Sequence, residues 1–349
     1  MPTISPLTRF WLGLDRLPGP AAVEAEWRAV AGGDFDRVQE LLLPDPTAAD
    51  SFPRLDRHGG AYAVVVHGPD DVVGVGEDGE RVPLRRSDLV VHRLSVPALL
   101  RKLAAVFDLT PDAGPVGGLA LTWRVGVDRP TAGYEFPLFL ALGQEPPEYR
   151  RDVAALVAAA PGPFRLVSPT NRHVRYETSR LLEAHGSTFL ALADAVAWTP
   201  DGWELTPAGR GWWAGFHAGH VPRPDAAAAV AFFPTPADAG WADVRIAFLD
   251  GERVSVRVGT ARQAVNYTQM GLADGRNGSA NKQWLLLRAF AAEGGRLSWK
   301  SPQAGPKNQK RRETLARSLQ QYFRIADDPI VLDVDGKSWR TLFALTNDR

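Results

Sequence analysis

Near the C-terminus, apolar residues recur as Leu315, Leu319, Tyr322 and Phe323. At 100° per residue they form a single stripe, so the spacing predicts a helix with one face in a core. The same period runs through "SVPALLRKLAAVFDL", where Leu99, Leu103 and Phe107 share a face and Ser95 stands as N-cap. "NKQWLLLRAFAAEGG" predicts a further helix bearing Trp284, Leu285, Leu287 and Phe290, closed by Gly294-Gly295. Residues 20–43 predict two short helices, the first with Val23, Trp27 and Val30 at helical spacing. Elsewhere the period drops to two. "GGAYAVVVHG", "DDVVGVGEDGERVPLRRSDLVVHRL" and "GLALTWRVGV" predict strands, with Asp78-Gly79 a tight turn. "DVRIAFLDGERVSVRVG" and "DPIVLDVDGKSWRTLFAL" predict hairpins with two-residue turns at Asp250-Gly251 and Asp335-Gly336.

Between these regions, "EFPLFLAL" reads as a buried strand, "PPEYRRDVAALVAAA" as a helix begun by proline, and "GPFRLVSPT" as a second strand. "VRYETSRLLEAHGSTFLALADAVAW" reads as a long interrupted helical region. A βαβα order predicts a small parallel sheet with packed helices. The fold class is therefore multidomain α/β and α+β. An α+β domain over 1–130 precedes a small α/β domain over 131–225. A linker rich in proline follows at 222–240, and a third domain covers 240–349.

The 349-residue length fits two or three domains, and 45% hydrophobic with 23% charged residues is ordinary for a globular protein. The absence of cysteine excludes disulfides, thiol catalysis and cysteine-bound zinc. The first twenty residues lack a basic segment followed by an apolar one, and no run approaches the roughly 20 apolar residues of a membrane span. A cytoplasmic protein without a membrane partner is expected. Abundant Ala, Gly, Arg, Asp and Val point to a GC-rich bacterial genome.

Charge changes the picture. Forty basic residues balance forty acidic ones, yet from Asn281 to Arg324 ten basic residues face Glu293 and Glu313 alone. Six of the ten stand in "KNQKRRETLARSLQQYFRI": Lys307, Lys310, Arg311, Arg312, Arg317 and Arg324. Solvated helices usually interleave acids for i,i+4 pairing. This polarity predicts a surface for a polyanion instead, with Lys310, Arg317 and Arg324, spaced by seven, opposite the apolar stripe.

Other candidate chemistry is sparse. "SPTNRH" (Ser168 to His173) lies where parallel sheets bind ligands, so Ser168, Thr170, Asn171, Arg172 and His173 are candidates for a phosphate. The plain alternative is a polar loop capping the next helix through Thr170 or Asn171. "GVGEDGE" is followed by no helix and fails as a phosphate loop. The middle strands end without the aspartate of a phosphoacceptor domain. His217 and His220 supply two ligands where zinc needs three or four. With no catalytic set, cofactor or metal site legible, an enzyme is not expected.

The last 105 residues or so resemble the OmpR/PhoB-type winged helix-turn-helix domain of bacterial transcription factors. "QWLLLRAFAAEGGRL" is similar to that family's first helix, "LARSLQQYF" to the tail of its recognition helix, and "DPIVLDVDGKSWRTLFAL" to its wing, with Trp339 near the usual aromatic. The polar loop "ADGRNGSANKQ" and the faintly marked second helix within "RLSWKSPQAG" depart from the pattern. The resemblance implies double-stranded DNA as partner, with a recognition helix in the major groove. Asn308, Lys310, Arg311, Thr314 and Arg317 would read bases, and Lys300, Lys307 and Arg312 would meet phosphates. Lys337 and Arg340 on the wing would touch backbone or minor groove. It further implies a transcriptional regulator or a DNA-targeting component, with residues 1–240 sensing, dimerising or recruiting other proteins. A winged helix that docks an acidic protein is the alternative.

Overall fold

The computed structural model describes residues 5–17, 19–55, 60–68, 71–143, 145–221, 232–275, 278–298, 301 and 308–347. The chain divides into two compact units, Met1–Asp128 with Phe136–Phe216, and Arg129–Glu135 with His217–Arg349. The architecture is mixed α/β with several separate sheets. Among the described residues no helix is long and apolar enough to cross a membrane.

A five-stranded sheet organises the first unit, in the order Thr188–Ala191, Arg165–Ser168, Tyr134–Ala141, Thr122–Thr131, Thr110–Pro115. The first three strands run parallel and are joined through the helices Pro146–Ala159 and Tyr176–Ala184, the crossovers that parallel neighbours require. Both faces are buried, which explains why "EFPLFLAL" reads as a continuous apolar run. Leu138, Leu140 and Val167 turn to one core with Phe10, Trp11, Leu99 and Leu103. Phe139, Ala141 and Leu166 turn to another with Tyr149, Val153 and Leu156. The first core draws residues from Leu7 to Val196. Segments 1–130 and 131–225 thus share a sheet and a core, and the division expected between them falls at the turn joining Thr122–Thr131 to Tyr134–Ala141.

Arg165 is the charged residue of its strand and is fully buried. It donates to Asp128 Oδ2 at 2.6 Å, and its guanidinium lies 3.6 Å from the Trp213 ring centre and 4.2 Å from that of Phe216. Burial lowers this guanidinium to about 10, against the upward pull of Asp128. The interaction is a pair in which loss of either partner strands a charge.

Two sequence expectations fail here for local reasons. Ser95 stands at the N-cap of Val96–Val106, but its side chain caps nothing. The long helical region ends at Ala184, where Gly186 takes φ 75 and the Ser187 amide donates to the Leu182 carbonyl at 2.8 Å. "TFLA" then becomes a parallel edge strand, since so short a run, with three apolar residues, fits either period. Asp78-Gly79 does lie in a turn, but in a loop longer than two residues: the Gly76 amide donates to the Glu80 carbonyl at 2.8 Å around 77–79, with Gly79 at φ 80.

In the second unit, strands Ala261–Asn266, Arg253–Val258, Val244–Phe248 and Ala344–Asn347 form one sheet in that order. Arg296–Ser298, Ser338–Thr341 and Ile330–Leu332 form another. The helices Lys282–Ala292 and Asn308–Phe323 pack together in the shared core. Asn281 caps the first, its carbonyl oxygen accepting from the amides of Gln283 and Trp284 at 3.0 Å each. Leu285, expected inward, is exposed, and Leu286 is buried in its place. Three successive leucines carry no phase of their own.

The two hairpin loops are longer than two residues, with 249–252 and 333–337 lying outside the strands. Asp250 and Asp335 each accept from backbone amides two and three positions ahead, and these Asx turns replace the tight ones. This core also begins before residue 240. Phe233 is fully buried, its ring centre 5.6 Å from that of Phe323, and its amide donates to the Tyr322 carbonyl at 2.8 Å. The expected linker residues 222–231 lie outside the described residues. Phe233→Ala should therefore destabilise the second unit by about 3–5 kcal/mol through a lost contact and a cavity. Denaturant unfolding of the full chain checks this; a change under about 1 kcal/mol would show that the segment is not core.

Candidate nucleic-acid interface

The Asn308–Phe323 helix has two opposed faces. Leu315, Leu319, Tyr322 and Phe323 are all buried. Lys310, Thr314, Arg317 and Gln321 recur at i, i+4, i+7 and i+11 and so fall within an arc of about 60° on the other side. Lys310, Arg317 and Gln321 are exposed. The Thr314 hydroxyl turns back to the Lys310 carbonyl at 3.0 Å. From Lys310 to Gln321 the stripe is about 16 Å long at 1.5 Å per residue. Neither Lys310 nor Arg317 has an acidic partner among the described residues.

The remaining expected contacts are distributed differently. Arg312 points its Nη1 at Asp328 Oδ2, 2.9 Å, and at the Ile330 carbonyl, 2.5 Å, tying the helix to the strand that follows. That ion pair gives Arg312 a structural role beside the phosphate contact expected of it. Arg340 lies 3.6 Å from Asp333, which also holds Arg296 at 2.9 Å. Asp335 takes Arg296 as well, at 2.8 Å, and its carboxyl is held at about 2 by the Lys337 amide, Ser338 and Arg296. These aspartates stand just beyond the basic segment and cancel part of its charge. Lys337 is exposed, and Arg311 is half-buried with an interaction of its own. Lys300 and Lys307, the side chain of Asn308 and most of the faintly marked second helix lie outside the described residues. Arg324 does not continue the 310–317 row. It follows the last helical residue at φ 57 and turns away.

The 168–173 loop is occupied from within. Tyr149 Oη lies 2.8 Å from Ser168 Oγ, and the Thr170 hydroxyl donates to the buried Asp15 carboxylate in a short hydrogen bond. Arg172 donates from its amide to Thr170 Oγ1 at 3.1 Å and from Nη1 to the Asp15 carbonyl at 3.2 Å. Helix Tyr176–Ala184 begins beyond it with Arg175 at the N-cap, so neither Thr170 nor Asn171 caps it. Burial raises the Asp15 carboxyl above its ordinary value of 3.8, with Thr170, His173 and Arg172 opposing the shift. Burial likewise lowers His173. Sequence spacing had no means of finding Asp15, which is 155 residues from Thr170.

Among the described residues no group of three or more His, Asp or Glu is placed to hold a metal ion. No family model, curated protein or solved structure matches this chain.

The buried Asp15 gives a pH signature. Because the folded chain binds this proton more tightly than the unfolded chain, its contribution is fully present below pH 3.8. It is lost as pH rises from there through the raised folded value. Asp15→Asn keeps an acceptor for Thr170 without the charge and should flatten that part of the profile. Thermal unfolding at a series of pH values from about 3.5 to 7 checks this, and parallel profiles for the two proteins would contradict it.

Proposed function

We propose that the second unit binds double-stranded DNA through the exposed face of the Asn308–Phe323 helix, as part of a transcriptional regulator or DNA-targeting protein. The observation that carries this reading is the Lys310–Thr314–Arg317–Gln321 row, backed by the buried Leu315–Leu319–Tyr322–Phe323 row. Lysine, arginine, glutamine and threonine are the side chains that bond phosphates and base edges. A stripe about 16 Å long on a single helix suits a major groove about 12 Å wide. The element order also supports a winged-helix reading: a sheet, a helix, a short strand, a second helix, then a hairpin pairing with that short strand. On this reading Lys337 is the wing's free cation, since Arg340 faces Asp333.

A second reading, a protein-docking module, is favoured by Leu332 and Val334, which are exposed at and beside the end of the 330–332 strand.

Arg317→Ala and Lys310→Ala separate the two. Each should cost about 1–3 kcal/mol of duplex affinity if it reads a base, or reduce the salt slope by about one if it meets a phosphate. Stability should move by no more than about 0.5 kcal/mol. Leu319→Ala should instead destabilise by about 2–5 kcal/mol. A double Lys310→Ala/Arg317→Ala variant that shifts a labelled duplex as well as the parent chain would remove the DNA reading.

A further inference from the structure

At the end of the same helix lies a group of polar residues of which the DNA reading uses Gln321 alone. Arg324 takes φ 57, in the left-handed region where side chains are strained and where functional sites often hold such residues. This turn places its guanidinium against two aromatic rings that touch each other, 4.7 Å from the centre of Tyr134 and 4.5 Å from that of Phe232, the two centres being 6.0 Å apart. Gly133, at φ 78, closes over it: a Cβ there would lie 3.2 Å from Arg324 Cδ and Nη1. The guanidinium has no carboxylate partner among the described residues, and its Nε is buried without a hydrogen bond. A guanidinium held against aromatic rings is restricted in its movement and keeps its remaining N–H donors for an acceptor.

The same arginine lines a cavity of about 160 Å³ with Ser318, Gln321 and Tyr322, and Phe232 and Met270 supply apolar wall. The Tyr322 hydroxyl is buried and has no hydrogen-bond partner among the described residues. Burial also pushes its phenol up, so it stays a donor at any ordinary pH. A buried donor left unpaired is costly in a native fold and calls for an explanation. Among the described residues the cavity is thus lined by one cationic residue and three polar ones, Ser318, Gln321 and Tyr322, and by no acidic one. Its volume is on the scale that holds a few ordered waters, a phosphate or a short carboxylate.

We propose that this cavity binds a small molecule through an oxyanion, a carboxylate or a phosphate monoester, held by the Arg324 guanidinium and the Tyr322 hydroxyl. Planar guanidinium matches either group bidentately, which is the arrangement that stacking preserves. The inference does not depend on DNA binding.

Calorimetric titration of the full chain with inorganic phosphate, and separately with acetate and benzoate, tests it. At least one probe should bind saturably at one site per chain, and the probe that binds tells phosphate from carboxylate. Arg324→Gln and Tyr322→Phe should each weaken that binding by about tenfold or more, the loss of one strong hydrogen bond. Tyr322→Phe should leave the melting temperature unchanged or raised, because the hydroxyl makes no bond in the free protein. A lost site is thereby distinguished from a lost fold. Failure of all three probes to saturate, or full affinity in either variant, would overturn the proposal. Displacement of the bound probe by a short duplex would also overturn it, by assigning these groups to a nucleic-acid backbone.

Discussion

Tyr322 and Phe323 fix the second unit. Their rings meet Phe233 at 6.3 and 5.6 Å, and Phe323 also meets Trp241 at 5.6 Å. Trp241 is held in turn by its indole N–H, which donates to the Asp327 carbonyl at 2.7 Å. Burying an aromatic side chain contributes about 1.5–3 kcal/mol, so this cluster outweighs any surface charge pair nearby. It decides the rotation of the Asn308–Phe323 helix about its axis. Once that rotation is set, Lys310 and Arg317 must face outward, Arg312 reaches Asp328, and the chain leaves the helix at Arg324. The surface proposed to meet DNA follows from the core.

Charge bookkeeping along the sequence overstates the field at that surface. The ten-to-two excess ends at Arg324, and Asp327, Asp328, Asp333 and Asp335 come immediately after it. Folding brings three of these against Arg312, Arg296 and Arg340. Exposed pairs of this kind contribute about 0–1 kcal/mol each to stability. Their larger effect is to set carboxylates beside Arg296, Arg312 and Arg340 and so lower the local positive potential. Among the described residues, Lys310 and Arg317 stand on the helix without an acidic partner.

The legible parts of the sequence were those with a period or an unbroken apolar run. The apolar stripe of the last helix and the Leu99–Leu103–Phe107 face emerged from spacing alone, because burial repeats with the geometry of the element, and the 135–142 strand emerged from an unbroken apolar run. Where spacing carries no phase, the sequence was mute: "LLL" did not reveal that Leu286 and not Leu285 enters the core, and "TFLA" did not reveal a strand. Site geometry was harder still. Arg312 and Arg317 look alike five residues apart, yet one is bound to a strand sixteen or more residues on and the other is exposed. Thr170 with Asp15, and Arg324 with Tyr134, are joined across more than a hundred residues. No local pattern encodes contacts of that kind.

The central claim is that a basic helix face, oriented by its own core, meets the phosphates of a duplex. The salt dependence of duplex binding by the full chain tests it most directly. Each phosphate neutralised contributes about −0.9 to the slope of log affinity against log salt. Contacts from Lys310, Arg317 and Lys337 therefore predict a linear fall with a slope of about −3 or steeper. Affinity that is flat across the titration, or absent even at low salt, would contradict the account.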